Sequence, residues 1–370
     1  MNKKAVSRRF ESLSSSPKVT GGKLGLQFVA VMGRITMDRI SDIGMTNAHD
    51  NLQYLNRGKS LRALREETIG KGDSVLVIAA GPSLKRRDVA RKLKKSGYDG
   101  AIIATDSALR YCLHHEIVPD LIVTLDPHAK RIIRWFGDPL LKEADLHEDD
   151  YFSRQDMDPA FTDELHANHE IIELLGRYGK QMRIALSTST SKSVVNRVLE
   201  TGIQIYWWNP MYDDPNASNS LTRRLYNLNG LPSVNAGGNV GTACWMMAHA
   251  VLGKRHAALT GVDFSYYDGT PYKNTQYYYE AVDLVGEANL DQFFIRVYNP
   301  CLKSWFYTDP AYMWYRKIFL EMAKEAECVT YNCTEGGILF GDPIHFITLD
   351  TFLNQIAKKE SGHSSSNRRG

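Results

Sequence analysis

Residues 74–261 predict an open α/β fold: a mostly parallel sheet with helices on both faces. From Ser74 onward, apolar runs rich in β-branched residues alternate with helical stretches of about a dozen residues, the rhythm of βαβ units. The apolar runs are continuous rather than alternating, as expected of strands buried on both faces. Ahead of this core, residues 24–66 predict an N-terminal helical extension, and the acid-rich stretch 137–170 predicts an insertion.

The extension carries apolar positions three and four apart through "LQFVAVMGRITMDRISDIGM" and again near "LQYLNRGKSLRALREE", punctuated by Gly58 and Gly70. "SVLVIAA" is the first strand of the core, and "KRRDVARKLKKSG" its helix, stopped by Gly97. "AIIATD" is the next strand, "SALRYCLHHEI" the next helix and "LIVTLD" the third strand. The insertion is either a solvated surface excursion or a lid, since long insertions in such folds often cover ligands. The alternation then resumes with strand "MRIALST", helix "SKSVVNRVLETG", strand "IQIYWWN" and helix "NSLTRRLYNL". A glycine-rich turn leads into helix "VGTACWMMAHAVLG" and strand "HAALTGVD". The C-terminal part holds a helix near "DPAYMWYRKIFLEMAKEAE", a short strand "CVTYNC", a Gly-Gly turn and a last helix over "TLDTFLNQIAKK". The expected organisation is a tail and helical extension over 1–66, the main α/β domain over 67–350, and a C-terminal helix and tail over 351–370.

Composition narrows the function classes. With 370 residues, 43% hydrophobic and 24% charged, the chain can bury a sizeable core. A formal charge of +3 is too small to call for a nucleic-acid partner, and much of the basic excess sits in the two tails. Five cysteines without paired metal spacing fit a reducing compartment. No signal peptide stands at the start, and stretches such as "LQFVAVMG" are too short for a membrane span, so a cytoplasmic location is expected.

In an open parallel sheet, ligands gather beyond the carboxyl ends of the strands. Those ends carry Gly81-Pro82-Ser83, then Asp106, then Asp126 with His128, then "STSTS" (187–191), then Asp263. One strand-end aspartate is an ordinary helix cap, but three in one sheet are candidates for a shared site. The small residues of "AAGPSL" make a plain strand-to-helix turn, or one that lets a phosphate approach the backbone. The stretch lacks the third glycine of G-x-G-x-x-G and the Lys-Ser/Thr ending of a P-loop, which disfavours nicotinamide dehydrogenases and P-loop enzymes. A second glycine turn, "NAGGNVGTA", offers the amides of Gly237, Gly238 and Asn239 to an anion, or simply enters a helix. Thr188 and Ser189 either repeat that idea with hydroxyls or cap the following helix. The tyrosines of "GVDFSYYDGTPY", Tyr266 and Tyr272 among them, stack on a sugar or base, or form an aromatic core patch. Asp120, after Pro119, is expected to fix the turn into the third strand. No histidine has metal-ligand spacing, so no metal site is assigned.

Taken in order, "GPSL", "TDSAL", "IVPDLIVTLDP", "GGNVGTA", "LTGVDFSY" and "YNCTEGGILFG" form a series. It resembles the 6-hydroxymethylpterin pyrophosphokinase-like superfamily over about residues 60–350. Within it, the series looks like the bacterial motility accessory factors, which are implicated as flagellin glycosyltransferases. The resemblance implies a Rossmann-like nucleotide-binding core with a sialyltransferase-like architecture. It also implies a CMP-activated nonulosonic acid as donor and Ser or Thr hydroxyls, as on flagellin, as acceptor. Carried over by motif, Gly81, Pro82 and Ser83 would contact the nucleotide and Asp106 would line its pocket, joined by Thr188, Ser189, Gly237, Gly238 and Asn239. Asp126 or Asp263 would activate or orient the acceptor hydroxyl, with Tyr266, Tyr272 and Glu335 on the substrate side. The sequence departs from the archaeal pyrophosphokinases at "VTLDPHAK", where one aspartate and a proline replace a Thr-Asp-Leu-Asp-Gly type stretch. That departure weakens two-acid Mg²⁺ binding, and no specific motif calls for the ion. ATP-dependent pyrophosphoryl transfer and a non-catalytic nucleotide-binding scaffold are the alternatives.

Overall fold

The computed structural model describes residues 17–148 and 163–358. Its strands are β1 (Lys18–Gly21), β2 (Lys59–Ser60), β3 (Ser74–Ile78), β4 (Ala101–Thr105), β5 (Leu121–Thr124), β6 (Arg183–Ser187), β7 (Gln204–Pro210), β8 (Ser233–Val234), β9 (His256–Thr260), β10 (Tyr266–Tyr267), β11 (Ile295–Asn299), β12 (Ser304–Thr308), β13 (Val329–Asn332) and β14 (His345–Phe346). Ten of them form one sheet in the order β14-β13-β9-β3-β4-β5-β6-β7-β2, with β8 beside β7. Every pairing in it is parallel. The expected α/β architecture is therefore present, and the reason for the unbroken apolar runs is direct: Val75, Leu76, Val77 and Ile78 are all fully buried.

Strand order decides where a ligand can go. From β3 the chain moves outward through β4, β5, β6 and β7, then returns to the other side of β3 with β9 and β13. The order reverses between β3 and β9, and such a switch point opens a crevice at the carboxyl ends of the two strands.

A second sheet, β1-β11-β12-β10, is antiparallel and lies outside the predicted rhythm. Its hairpin shows an inward–outward alternation in β11, where Ile295, Val297 and Asn299 are buried and Arg296 is exposed. The edge strand β1 joins it from the other end of the chain, so sequence proximity gives no hint of the pairing.

Three further elements differ from expectation. The helix after β3 is broken: a short turn, Ser83–Arg86, is followed by Asp88 in the left-handed region (φ 49°) and then by helix Val89–Ser96, which ends at Gly97. The insertion is not one unit. Its last residues begin helix Glu164–Tyr178, whose Ile171 and Leu175 pack in the core with Phe136, while the acidic middle, 149–162, lies outside the described residues. Asn168 ties its two ends together, accepting from the Asp138 amide and donating to the Asp138 carbonyl, both at 2.7 Å.

Finally, the N-terminal region is integral to the core rather than appended to it. On helix Met32–Asp50 and just beyond it, Asn47 donates to the carbonyls of Pro127 and Ser189, and Asn51 to those of Thr188 and Thr190. Asn51 is fully buried. Among the described residues no helix is long and apolar enough to cross a membrane.

Candidate functional site

A cavity of about 340 Å³ opens at the switch point, within the size range of small-molecule sites. Its floor is made by the segments that follow the strands: Ala79–Pro82 after β3, Thr105–Ser107 after β4, Leu125–His128 after β5 and Gly261–Tyr266 after β9. Gly238–Gly241 forms another wall. The predicted Asp106, Asp126 and Asp263 therefore do meet in one place, with Gly81, Pro82, Gly238, Asn239 and Tyr266.

The question posed by the Gly-Pro-Ser turn has a structural answer. A Cβ on Gly81 would lie 2.2 Å from Asp263 Oδ2 and 2.4 Å from the Gly261 carbonyl. The glycine is needed because two strand-end turns touch. The Gly81 amide donates to the Gly261 carbonyl (2.8 Å) and the Leu84 amide to the Gly81 carbonyl (3.0 Å). Ser83 donates to Asp263 Oδ2 through its hydroxyl at 2.7 Å and its amide at 3.3 Å. With Pro82 lacking an N–H, the turn has little left to offer a phosphate. The expectation that its amides grip the ligand is corrected accordingly: Gly81 and Pro82 line the cavity, while Ser83 is buried as the partner of Asp263.

The second glycine turn keeps donors in reserve. Gly237 and Gly238 take positive φ (56° and 83°), and Asn239 caps helix Val240–Met246 by accepting from the Thr242 amide at 2.9 Å. The amides of Gly238, Val240 and Gly241 have no partner among the described residues, and all three residues line the cavity. Gly237 itself stands behind them, its amide on Asn235 Oδ1. Amides at a helix start with no carbonyl to satisfy them are suited to an anion.

The three carboxylates differ. Asp106 is 3% exposed and accepts from the Ser107 amide and the Thr124 hydroxyl, both at 2.7 Å. Burial pushes its pKa up to about 7. Asp263 is equally buried, and desolvation raises it to about 7 against the opposing bonds from Ser83. Its Oδ1 has no partner among the described residues. Asp126, by contrast, has a half-exposed side chain and accepts from both the His128 amide (2.8 Å) and the His128 ring Nδ1 (2.6 Å). That bond raises the His128 pKa. Mg²⁺ asks for carboxylate oxygens free to coordinate. Those of Asp106 are committed, and among the described residues no group of three or more His, Cys, Asp or Glu is arranged to hold an ion. The Asp106 carboxylate therefore does not fit a Mg²⁺ site, whereas Asp263 Oδ1 is without a partner among the described residues.

Phe264, between Asp263 and the rest of the aromatic stretch, has φ 49°, a strained conformation for a bulky residue. It is held by the Thr308 hydroxyl on its carbonyl at 2.8 Å and by packing against Phe319 and Tyr315. Phe264 packs into the core and, with its neighbours Asp263 and Ser265, borders the cavity.

Several predicted site residues lie elsewhere. Thr188 is fully buried with its hydroxyl on Asn209 Oδ1, and Ser189 pairs with the Tyr212 hydroxyl, both at 2.7 Å. Their stretch serves as the anchor for Asn47 and Asn51 and does not reach the cavity. Tyr272 stacks on Phe294 at 4.4 Å and donates to Asp291, within the second sheet's aromatic cluster. Glu335 accepts from Lys92 at 2.8 Å and from the Leu349 amide. None of these side chains lines the cavity. Asp120 does what was expected, accepting from the Ile102 amide at 2.8 Å.

Sequence reading missed the far wall. Helix Met32–Asp50 contributes Arg39, and the region after β10 contributes Gln276, Tyr277 and Glu280. Tyr312 and Tyr315 come from helix Pro310–Lys324. The tyrosine hydroxyls are tied down: Tyr266 donates to Asp309 (3.0 Å) and Tyr312 to Gln276 Oε1 (2.5 Å), which leaves fixed ring faces. The only signal in the sequence was the density of tyrosines, which does not say which of them converge.

Comparison with known proteins bears on the fold. Residues 46–135, which hold the first strands and the Gly81, Asp106 and Asp126 turns, match the family described as 6-hydroxymethylpterin diphosphokinase MptE-like. Comparison with curated proteins returned no match. Among solved structures, the chain is similar to the MAf glycosyltransferase from Magnetospirillum magneticum AMB-1, at 15% identity and a TM-score of 0.51. The similarity covers 89% of this chain but only 42% of that one. Nearly the whole chain thus shares its fold with part of a glycosyltransferase, and its first βαβ segment carries the sequence pattern of the MptE-like family.

Proposed function

We propose that this protein is a transferase using a nucleotide-activated donor, a glycosyltransferase of the motility accessory factor type. On this reading it moves a nonulosonic acid from CMP to a hydroxyl of a protein or glycan. The observation that carries it is the cavity itself: the amides of Gly238, Val240 and Gly241, without partners among the described residues, lie with strand-end carboxylates at the switch point of a parallel sheet. In the transfer, the acceptor oxygen attacks the anomeric carbon, and the bond from that carbon to the phosphate oxygen breaks. The electron pair leaves with the phosphate, whose charge the amides of Gly238, Val240 and Gly241 stabilise. The acceptor's proton passes to Asp126, the one strand-end aspartate whose side chain is exposed enough to touch it. Asp263 serves by holding the Gly81 and Gly261 turns together. Flagellin is one acceptor consistent with this reading.

Thermal-shift measurements with CMP, CTP, ATP and GTP, each with and without Mg²⁺, test the proposal. Stabilisation by CMP without metal is expected. Stabilisation by ATP only with Mg²⁺ would instead indicate pyrophosphoryl transfer, which the match at residues 46–135 favours but the committed Asp106 carboxylate opposes. No response to any nucleotide would refute both and leave a scaffold.

A further inference from the structure

Two arginines and a histidine line the cavity from two elements. Arg39 comes from helix Met32–Asp50, His128 stands at the cap of helix Ala129–Ile132, and Arg131 lies within that helix. They are close enough to oppose one another: both guanidinium groups work against protonation of His128, which the Asp126 bond supports. Like charges drawn into one cavity cost energy unless an anion joins them.

The compensation available to Arg39 within the chain is thin. Its one ion pair, with Glu280, spans 3.8 Å, too long for a hydrogen bond, and it makes no hydrogen bond among the described residues. On the other side, Glu280 Oε2 has no partner among the described residues. Arginines with structural roles are treated differently in this chain. Arg316 donates to the carbonyls of Ile338 (2.7 Å) and Phe340 (2.8 Å). Arg197 donates to those of Phe136 and Gly137, and to Glu200. Arg39 presents a planar five-donor fork to the cavity with almost nothing bound to it, the geometry that takes an oxyanion through two parallel hydrogen bonds.

We propose that Arg39 and His128 together form a receptor for a negatively charged group of the ligand, a phosphate or a carboxylate, and that this group displaces Glu280 from Arg39. The inference deepens the reading above and rests on the cavity being its ligand site. It makes the N-terminal helix a part of the binding surface. It also selects donors that are anionic where they meet this wall, over neutral sugars.

The test is titration calorimetry on the full chain with pyrophosphate, CMP, cytidine and N-acetylneuraminate, for the wild type and the Arg39→Gln, Arg39→Lys and Glu280→Gln variants. Circular dichroism and melting temperature confirm that each variant is folded. Arg39→Gln should weaken pyrophosphate roughly tenfold, the loss expected for a charge-assisted hydrogen bond, and leave cytidine unchanged. Arg39→Lys should recover part of the loss, and Glu280→Gln should tighten the anions by removing their competitor. A matching loss with CMP identifies the group as the nucleotide phosphate, and one with N-acetylneuraminate identifies it as a sugar carboxylate. If pyrophosphate fails to bind the wild type, or binds Arg39→Gln equally well, the inference is overturned, even where CMP binding keeps the nucleotide reading intact. Pyrophosphate binding through Arg39 with no nucleotide binding at all would do the reverse.

Discussion

Replacing Asp106 with asparagine should alter the pH dependence of stability as well as its level. Burial raises this carboxyl from 3.8 to about 7 in the folded chain. Between those values the folded state holds a proton that the unfolded state has lost, so stability falls as pH rises through the window and levels off above about 7. Between pH 5 and 7.5 the wild type should lose about 2.5 kcal/mol through this group alone, at about 1.4 kcal/mol per pH unit below the folded pKa. Asparagine does not titrate, so the variant is spared that loss. The bonds to Ser107 and Thr124 are disturbed equally at both pH values and cancel from the comparison. With an unfolding entropy of about 2.1 cal/mol/K per residue, a 370-residue chain converts the effect into a relative gain of about 3 °C in melting temperature. The assay is a pair of melting curves for each protein at the two pH values. If wild type and variant shift in parallel within about 1 °C, Asp106 is solvated in the folded chain and the floor of the cavity is not the dry surface described above.

Two further perturbations probe the scaffold of the site. Gly81→Ala places a methyl group against Asp263 Oδ2 and the Gly261 carbonyl, and should cost about 1–3 kcal/mol or more; chemical denaturation with an unchanged midpoint would show that the two turns are not in contact. Asn51→Ala strips the Thr188 and Thr190 carbonyls of their buried donor, at about 1–3 kcal/mol for each group left unsatisfied. Hydrogen exchange should show helix Met32–Asp50 loosening first, and unchanged protection there would count against its role as a wall of the cavity.

The parallel core was legible because its signal is local. Buried strands such as Ser74–Ile78 need unbroken β-branched runs, and their helices need amphipathic ones, so each element announces itself within a dozen residues or so. The strand Ile295–Asn299 of the hairpin also carries a local alternation, although the βαβ rhythm does not reveal it. The strand Lys18–Gly21 that completes that sheet has no local signal, because its partner lies more than 270 residues away.

The candidate site divides the same way. Strand-end position marked Asp106, Asp126 and Asp263, since a parallel sheet delivers its carboxyl ends to one rim whatever the sequence between them. What each residue does there depended on neighbours that only folding supplies. The Gly81 turn spends its donors on the turn after β9, the amides of Gly238, Val240 and Gly241 remain open among the described residues, and "STSTS" turns to grip two asparagines of a distant helix. Glu335 caps the last helix, and Tyr272 joins an aromatic cluster. The strand-and-helix pattern and the rim that collects the aspartates follow from short-range periodicity in the amino acids. Which amides stay free, which carboxylates lose water and which arginine faces the ligand were decided by long-range contacts, because hydrogen-bond competition and burial are properties of the assembled chain.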